Sequence, residues 1–404
     1  MAKDGSAEHG ARSGATLGLC LLAALAEGFD LQSAGVAAPT LARALHLARD
    51  QLAPVFSANV AGLLIGAMLL GRLADRLGRR RTLIAALIIF GVFSLATAAV
   101  WTLPGLLAAR LLAGIGLGGA MPNLIALSAE AVPAGRRARV VTLITAGMPF
   151  GAALAGVIAF GADWRAVFTA GGVAPLVLAG VMVAVMPESA RFLTARQVPP
   201  GEAAARLDLP TVLFGGGRAR TTLLLWTASF GSLLALYLLV NWLPTLMGLK
   251  GVSKPDASLI SVLFNLGGSL GVAALALLLD GGRRGLKITA WYAGFVAALV
   301  WLALSPAGLA ASGAAGFAAG VFVSSAPLIL YGLAPTFYAV IMRGTGAGSM
   351  VAIGRVGALL GPLLAAGLLG AGVGVTGVLL ALLPLVVLAG LSTLAVLGRP
   401  TVGD

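Results

Sequence analysis

Four charged side chains interrupt long apolar runs: Glu27, Asp30, Arg110 and Arg355. Ionisable groups in a hydrocarbon layer are costly, and those that persist there carry ions, bind charged ligands or pair with one another. Glu27 and Asp30 stand three residues apart, so on a helix they share one face. Burial favours the protonated form of a carboxylate, and an arginine beside it opposes that. Arginine also grips a carboxylate through two parallel hydrogen bonds. The four residues therefore offer proton carriage by the acids and anion capture by the bases. Structural ion pairing is the plainer alternative for each.

The elements that must position them are membrane helices. The chain has 404 residues, 59% of them hydrophobic and 10% charged, with a mean hydropathy of +1.01. A soluble domain carries about 25% charged residues, so the apolar excess needs lipid as its solvent. One span takes about 20 apolar residues. Spans are predicted near 16–38, 52–72, 82–101, 104–127, 138–160 and 165–186, then near 221–246, 257–279, 287–305, 308–338, 344–368 and 372–397. The run 308–338 exceeds one span and should tilt or break near Pro327 or Pro335. The expected organisation is an all-α membrane protein of two six-helix bundles. A cytoplasmic tail (1–15) leads into the first bundle (16–186), a cytoplasmic linker (187–220), the second bundle (221–398) and a second tail (399–404).

Loop charges set the orientation. With the N-terminus in the cytoplasm, twenty of the 27 Lys and Arg residues fall inside, and Arg43, Arg49, Arg165, Lys250 and Lys254 fall outside. A one-helix error would scramble this bias, which matches both termini in the cytoplasm. At 1.5 Å per residue, Asp30 and Arg110 lie at one level, roughly 21 Å from the inner face, and Glu27 and Arg355 lie roughly 14–17 Å from it. The halves echo each other: Asp75, Arg79 and Arg80 follow the second span, and Asp280, Arg283 and Arg284 the eighth. Such repeats mark paired bundles related by an axis along the membrane normal.

Other classes fit poorly. The net charge of +13 sits in short gaps between spans, which argues for topology rather than nucleic-acid binding. The first span is too long and too acidic for a cleaved signal. Cys20 is a lone apolar-run cysteine, and His9 and His46 fall in the tail and the first outer loop, so neither a disulfide nor a metal site is expected. The glycines from Gly114 to Gly119 follow no strand, so they are not read as a phosphate loop. No cofactor and no catalytic cluster is expected. A membrane-embedded enzyme or a passive channel would need features that are absent here or would not explain the repeat.

Four motifs carry a family resemblance. Gly71, Arg72, Asp75, Arg76, Gly78, Arg79, Arg80 and Arg81, between the second and third spans, resemble the signature loop of the major facilitator superfamily. Arg110, Gly114, Gly116, Gly118 and Gly119 resemble the fourth-helix motif of its proton-coupled members. Pro187, Glu188 and Ser189, followed by Arg191, resemble a segment common in the superfamily and its sugar porters. Glu27, Gly28, Phe29 and Asp30 resemble the Asp-Gly-Phe-Asp motif of the aromatic acid:proton symporter family, with Glu in place of the first Asp. The likeness continues through Pro122 and Asn123, Asn241, Trp242 and Pro244, Tyr331, Pro335 and Tyr338, and Gly354, Arg355, Gly357, Gly361 and Pro362.

The resemblance implies a major facilitator fold and proton-coupled import of an aromatic carboxylate, similar to 3-(3-hydroxyphenyl)propionate, across a bacterial inner membrane by a monomer. Its residue assignments follow. Glu27 and Asp30 carry protons, with Arg110 modulating Asp30. Arg355 takes the substrate carboxylate. Tyr331, Trp242, Asn241, Asn123, Gln32 and Tyr338 pack around the substrate or hydrogen-bond to it. Gly71, Asp75, Arg76, Gly78, Arg79, Arg80, Glu130, Arg136 and Asp280 form a conformational latch between the bundles. Symport of another aromatic acid such as a hydroxybenzoate is the near alternative. Export of drugs or metabolites is the other, because the glycine–proline pattern of Gly147, Pro149 and Gly151 partly resembles exporter motifs.

Overall fold

The computed structural model describes residues 2–189, 208–278, 282–339 and 342–399. Among them the regular structure is helical throughout, and twelve helices are long and apolar enough to cross a membrane. We number these spans α1 (Ser13–Ala44), α2 (Asp50–Ala74), α3 (Arg79–Ala99), α4 (Leu103–Glu130), α5 (Arg139–Gly161) and α6 (Trp164–Val185). The rest are α7 (Ala219–Leu249), α8 (Lys254–Leu275), α9 (Arg284–Leu304), α10 (Leu309–Phe337), α11 (Arg343–Gly370) and α12 (Val375–Leu397). With no water to serve backbone N–H and C=O groups in lipid, helices that satisfy their own are what such apolar runs can form.

Three boundaries differ from expectation. The expected tail continues the first helix, which runs Ala2–Ala44, since no proline precedes Pro39 to stop it. The long tenth run breaks at the second of its two prolines: it is α-helical over Leu309–Leu333 and tightens to a 3-10 turn at Ala334–Phe337, around Pro335, while Pro327 stays within the helix. The twelfth span is two helices, Val375–Leu380 and Leu383–Leu397. Pro384 has no N–H to donate, and its ring would crowd the carbonyl four residues back, so a new helix starts there. Between α6 and α7, Asp208 caps a short helix, Leu209–Phe214, by accepting from Thr211 N–H at 3.4 Å.

The chain divides into two compact units, Met1–Gly201 and Glu202–Asp404. In the first, α1 packs on α5, α2 on α4, and α3 on both α4 and α6. In the second, the same scheme recurs six helices later: α7 on α11, α8 on α10, and α9 on both α10 and α12. The repeat legible in the loops is thus a repeat of packing. Small residues make the closest pairs possible, as lipid-embedded interfaces require. A Cβ on Gly118 would come within 2.1 Å of the Leu63 carbonyl oxygen across the α2–α4 contact. Across the equivalent α8–α10 contact, a Cβ on Gly320 would come within 1.8 Å of the Phe264 carbonyl oxygen.

Replacing Gly118 by Val should therefore part α2 from α4 and cost about 1–3 kcal/mol or more of overpacking. Gly180, whose Cβ position faces open space, should accept Ala without loss. Thermal melts of the purified protein in detergent compare the two, and equal melting temperatures would refute the close-contact account.

Candidate functional site

The charges of the first unit converge where four helices meet. Asp30 on α1 and Arg110 on α4 are both fully buried, at 0% exposure. Arg110 Nη1 donates to Asp30 Oδ1 at 3.0 Å and Nη2 to Oδ2 at 2.8 Å, a two-pronged pair. Ser94 on α3 sets its Oγ 3.3 Å from both Asp30 Oδ1 and the Phe168 carbonyl oxygen on α6. The Phe168 ring lies under the guanidinium, 5.2 Å from Arg110 Cζ. Arg110 Nε has no hydrogen-bond partner. Local sequence brings this about. Gly28, between the two acids, lets α1 lie against α5 so closely that a Cβ there would meet the Met148 carbonyl oxygen at 1.8 Å. Glu27, nearly a turn from Asp30 on α1, is buried too, yet Arg110 pairs with Asp30 and not with it. Gln32 is buried on the same helix. Asn123 on α4 is buried and donates through Nδ2 to the Gly119 carbonyl at 2.8 Å, so that part of its amide serves its own helix.

In the second unit Arg355 is half-buried on α11. Its Nη1 donates to Tyr237 Oη on α7 at 2.8 Å. Asn241, one turn along α7, donates through Nδ2 to the Tyr237 carbonyl at 2.8 Å. Tyr331 on α10 is 36% exposed and within electrostatic reach of both Arg355 and Tyr237. A cation and two phenols therefore gather from three helices, with Asn241 one turn from Tyr237 on α7. Two of the expected ring contacts lie elsewhere. Trp242 is wholly enclosed in the helix packing, neither interfacial nor open to a ligand. Tyr338 sits at the arginine-rich end, its Oη 2.8 Å from Thr222 Oγ1, its carbonyl accepting from Arg343 Nε at 3.2 Å, and its ring against Gly346. From Gly346 to Arg355 is about 13 Å of helix, so Tyr338 closes the end of the bundle and does not join the Arg355 group.

The signature loop builds a second network at the arginine-rich end of the first unit. Arg79 pairs with Glu130 at the end of α4. Ser189 Oγ donates to the other Glu130 oxygen at 2.6 Å. Glu188 Oε1 accepts from the backbone N–H groups of Arg80, at 2.9 Å, and of Ser189, at 3.0 Å. Arg80 Nη2 donates to the Val183 carbonyl at 2.5 Å. Gly78 turns the chain at φ 99°, where L side chains are strained, and a Cβ there would meet Glu188 Oε2 at 2.5 Å. Every partner named belongs to the first unit, so these bonds tie the start of α3, the end of α4 and the end of α6 with the segment after it together in one bundle. Gly71 does not serve a close contact: its Cβ position faces open space. Arg76 and Arg136 are exposed. Asp280 and the side chain of Asp75 lie outside the described residues.

Residues 20–362 match the Major Facilitator Superfamily. The chain belongs to that superfamily. It is 43% identical over 387 residues to the 3-(3-hydroxy-phenyl)propionate transporter of Escherichia coli (strain K12), covering 95% of this chain and 94% of that one. It is 36% identical over 412 residues to the 4-hydroxybenzoate transporter PcaK of Pseudomonas aeruginosa, covering 94% and 90%. Among solved structures, a D-xylose-proton symporter superposes with a TM-score of 0.72 over 95% of this chain and 97% of that one, at 18% identity, a likeness of fold alone.

Two members of these groups escape a reading of this superfamily chain by motif. Ser94 lies in an apolar run with nothing to single it out except its polarity. Tyr237 stands one turn before Asn241, a spacing that places both on one helix face and was the available signal. Glu188 and Ser189 stood out as a motif, but their bonds to Arg80 and Glu130 required the turn geometry.

The buried pair gives a sharp stability test. Asp30→Asn strands a buried guanidinium and should cost about 3–5 kcal/mol, whereas the double variant Asp30→Asn with Arg110→Met should recover much of that loss. Thermal unfolding of the single and double variants in detergent completes the cycle. Additive losses would mean the two side chains do not interact.

Proposed function

We propose that this chain is a proton symporter that imports an aromatic carboxylate similar to 3-(3-hydroxyphenyl)propionate, by alternating access in a bacterial inner membrane. The 43% identity to a 3-(3-hydroxy-phenyl)propionate transporter over nearly the full length of both chains carries the substrate class. The lesser identity to a 4-hydroxybenzoate transporter favours the same class and widens the panel worth testing. The loop-charge bias supports placing both termini in the cytoplasm. The repeated bundles complete one carrier, so a monomer suffices.

In this reading Arg355 receives the carboxylate. Its guanidinium binds such a group through two bonds, and Tyr237 already orients it at 2.8 Å. Tyr331 and Asn241 stand near as polar contacts for the ring hydroxyl. Protons ride on Glu27 and Asp30. Both Asp30 oxygens are held by Arg110, so protonating Asp30 requires Arg110 to yield at least one bond. Proton uptake is thereby tied to a movement between α1 and α4. Glu27, on the same helix face, supplies a second carboxylate without that tie. The Arg79–Glu130–Ser189 network is the conformational element, holding the ends of one bundle in register while the transporter changes state.

Purified protein in liposomes, given an inward proton gradient and labelled phenylpropionates, hydroxybenzoates and cinnamates, should accumulate a subset of them. Outward movement of the acids under that gradient would favour the exporter. Arg355→Gln should raise KM by about ten- to a hundredfold, the loss of a charge-assisted hydrogen-bonded contact, and Arg355→Lys should restore part of it. The double substitution Glu27→Gln with Asp30→Asn should abolish gradient-driven accumulation while leaving exchange of internal for external substrate. Undiminished accumulation in that variant would end the coupling proposal.

A further inference from the structure

At the end of the first unit opposite the arginine-rich loops, Arg165 lies between two indoles. Its Cζ is 4.0 Å from the Trp101 ring centroid, in the turn between α3 and α4, and 4.3 Å from that of Trp164, which opens α6. A guanidinium carries five N–H donors in its plane. With its faces covered by rings, only the edges remain for bonding. Arg165 makes neither a hydrogen bond nor an ion pair among the described residues, and its Nη2 is shut away from solvent without a partner. Nη2 itself is walled in by protein, but Arg165 as a whole is only half-buried, so the rest of its guanidinium edge is open to an acceptor from outside the chain. The neighbouring acid does not fill it. Asp163 is committed to the helix start, accepting from Ala166 N–H at 3.0 Å through Oδ1.

Two further observations say what the acceptor is. Trp101 is 71% exposed, an indole presented outward at the level where membrane-interface tryptophans sit. Below it, α3 and α6 turn Ile88, Val92, Val173, Val177 and Val181 outward, an apolar surface suited to acyl chains. A cation at the head of an acyl-facing surface, beside the positive end of α6, fits a phosphodiester. We propose that Trp101, Trp164 and Arg165 form a binding site for the headgroup phosphate of a phospholipid in the outer leaflet.

Native mass spectrometry of the full chain, released from detergent after incubation with phosphatidylglycerol, phosphatidylethanolamine or phosphate-free diacylglycerol, tests this. Bound phospholipid should fall by at least about tenfold in Arg165→Gln, the scale of a lost charge-assisted bond, with Arg165→Lys intermediate and diacylglycerol adducts unchanged. In nanodiscs, brominated phospholipid should quench the fluorescence that Trp101→Phe removes. Melting temperatures of the variants report whether they fold; if Arg165→Gln does not fold, the comparison passes to Arg165→Lys and the quenching. Equal phospholipid retention by wild type and folded variant would overturn the site. So would inorganic phosphate, or 3-phenylpropionate, raising the wild-type melting temperature as much as phospholipid does, since the site would then serve a free anion. None of these readouts depends on transport.

Discussion

Two opposite charges held wholly out of water, Asp30 and Arg110, set the terms for the first bundle. Removing both from water costs several kcal/mol each, and only near-ideal geometry with further hydrogen bonds returns it. The neighbouring residues supply that geometry. Ser94 adds a hydroxyl from α3, Phe168 lays a ring under the guanidinium from α6, and Gly28 draws α1 against α5. If α1 stood a few tenths of an ångström further off, the two-pronged bond would be strained and the burial uncompensated. The glycine-lined contacts are therefore as much a part of the charge site as the charges.

The second bundle repeats the packing but not the electrostatics. Its pairs α7–α11 and α8–α10 match α1–α5 and α2–α4. Its membrane-embedded cation, Arg355, donates to the phenol of Tyr237. A phenol orients a guanidinium without neutralising it. A carboxylate does both. Duplicated architecture has thus been given two polar arrangements, a two-pronged ion pair in one half and a guanidinium oriented by a phenol in the other.

Much of this was legible in the residues, and the gaps have a common cause. Counting 1.5 Å per residue placed Asp30 and Arg110 at one depth, and the structure brings them within hydrogen-bonding distance. Depth is only one coordinate. Which way a side chain points around its helix depends on packing that apolar, nearly uniform spans do not encode: helices rich in Ala, Leu and Gly show no sharp polar face. Ser94 and Tyr237 were missed for that reason, and Tyr338 and Trp242 were over-read as ligand contacts for the same one. Gly71 belongs to the signature motif, yet its Cβ direction faces open space, so no close packing requires a glycine there. Breaks were partly legible because proline acts locally. Pro335 ended its α-helix as expected, yet Pro384, only two residues into a helix, read from the sequence as the interior of a single span.

The geometry also separates two acids that the sequence treats alike. Both oxygens of Asp30 are engaged by the Arg110 guanidinium, so what happens at one of the two residues involves the other. Arg110 in turn rests on Phe168, which meets Trp164 edge-on at 6.3 Å and 74°. Moving the guanidinium off Asp30 therefore means sliding it across a ring fixed in the α3–α6 packing, a displacement of side chain against helix rather than a free rotation. Glu27 carries no such attachment to Arg110. A carrier with one acid bound to a structural change and another close by on the same helix face has the parts for a two-stage proton path. Under the proposed symport, Glu27 would exchange protons first, and Asp30 would accept one only with a shift between α1 and α4. In that proposal coupling would reside in the Asp30–Arg110 bond itself, because a proton on Asp30 and a movement of α1 against α4 would each have to break it.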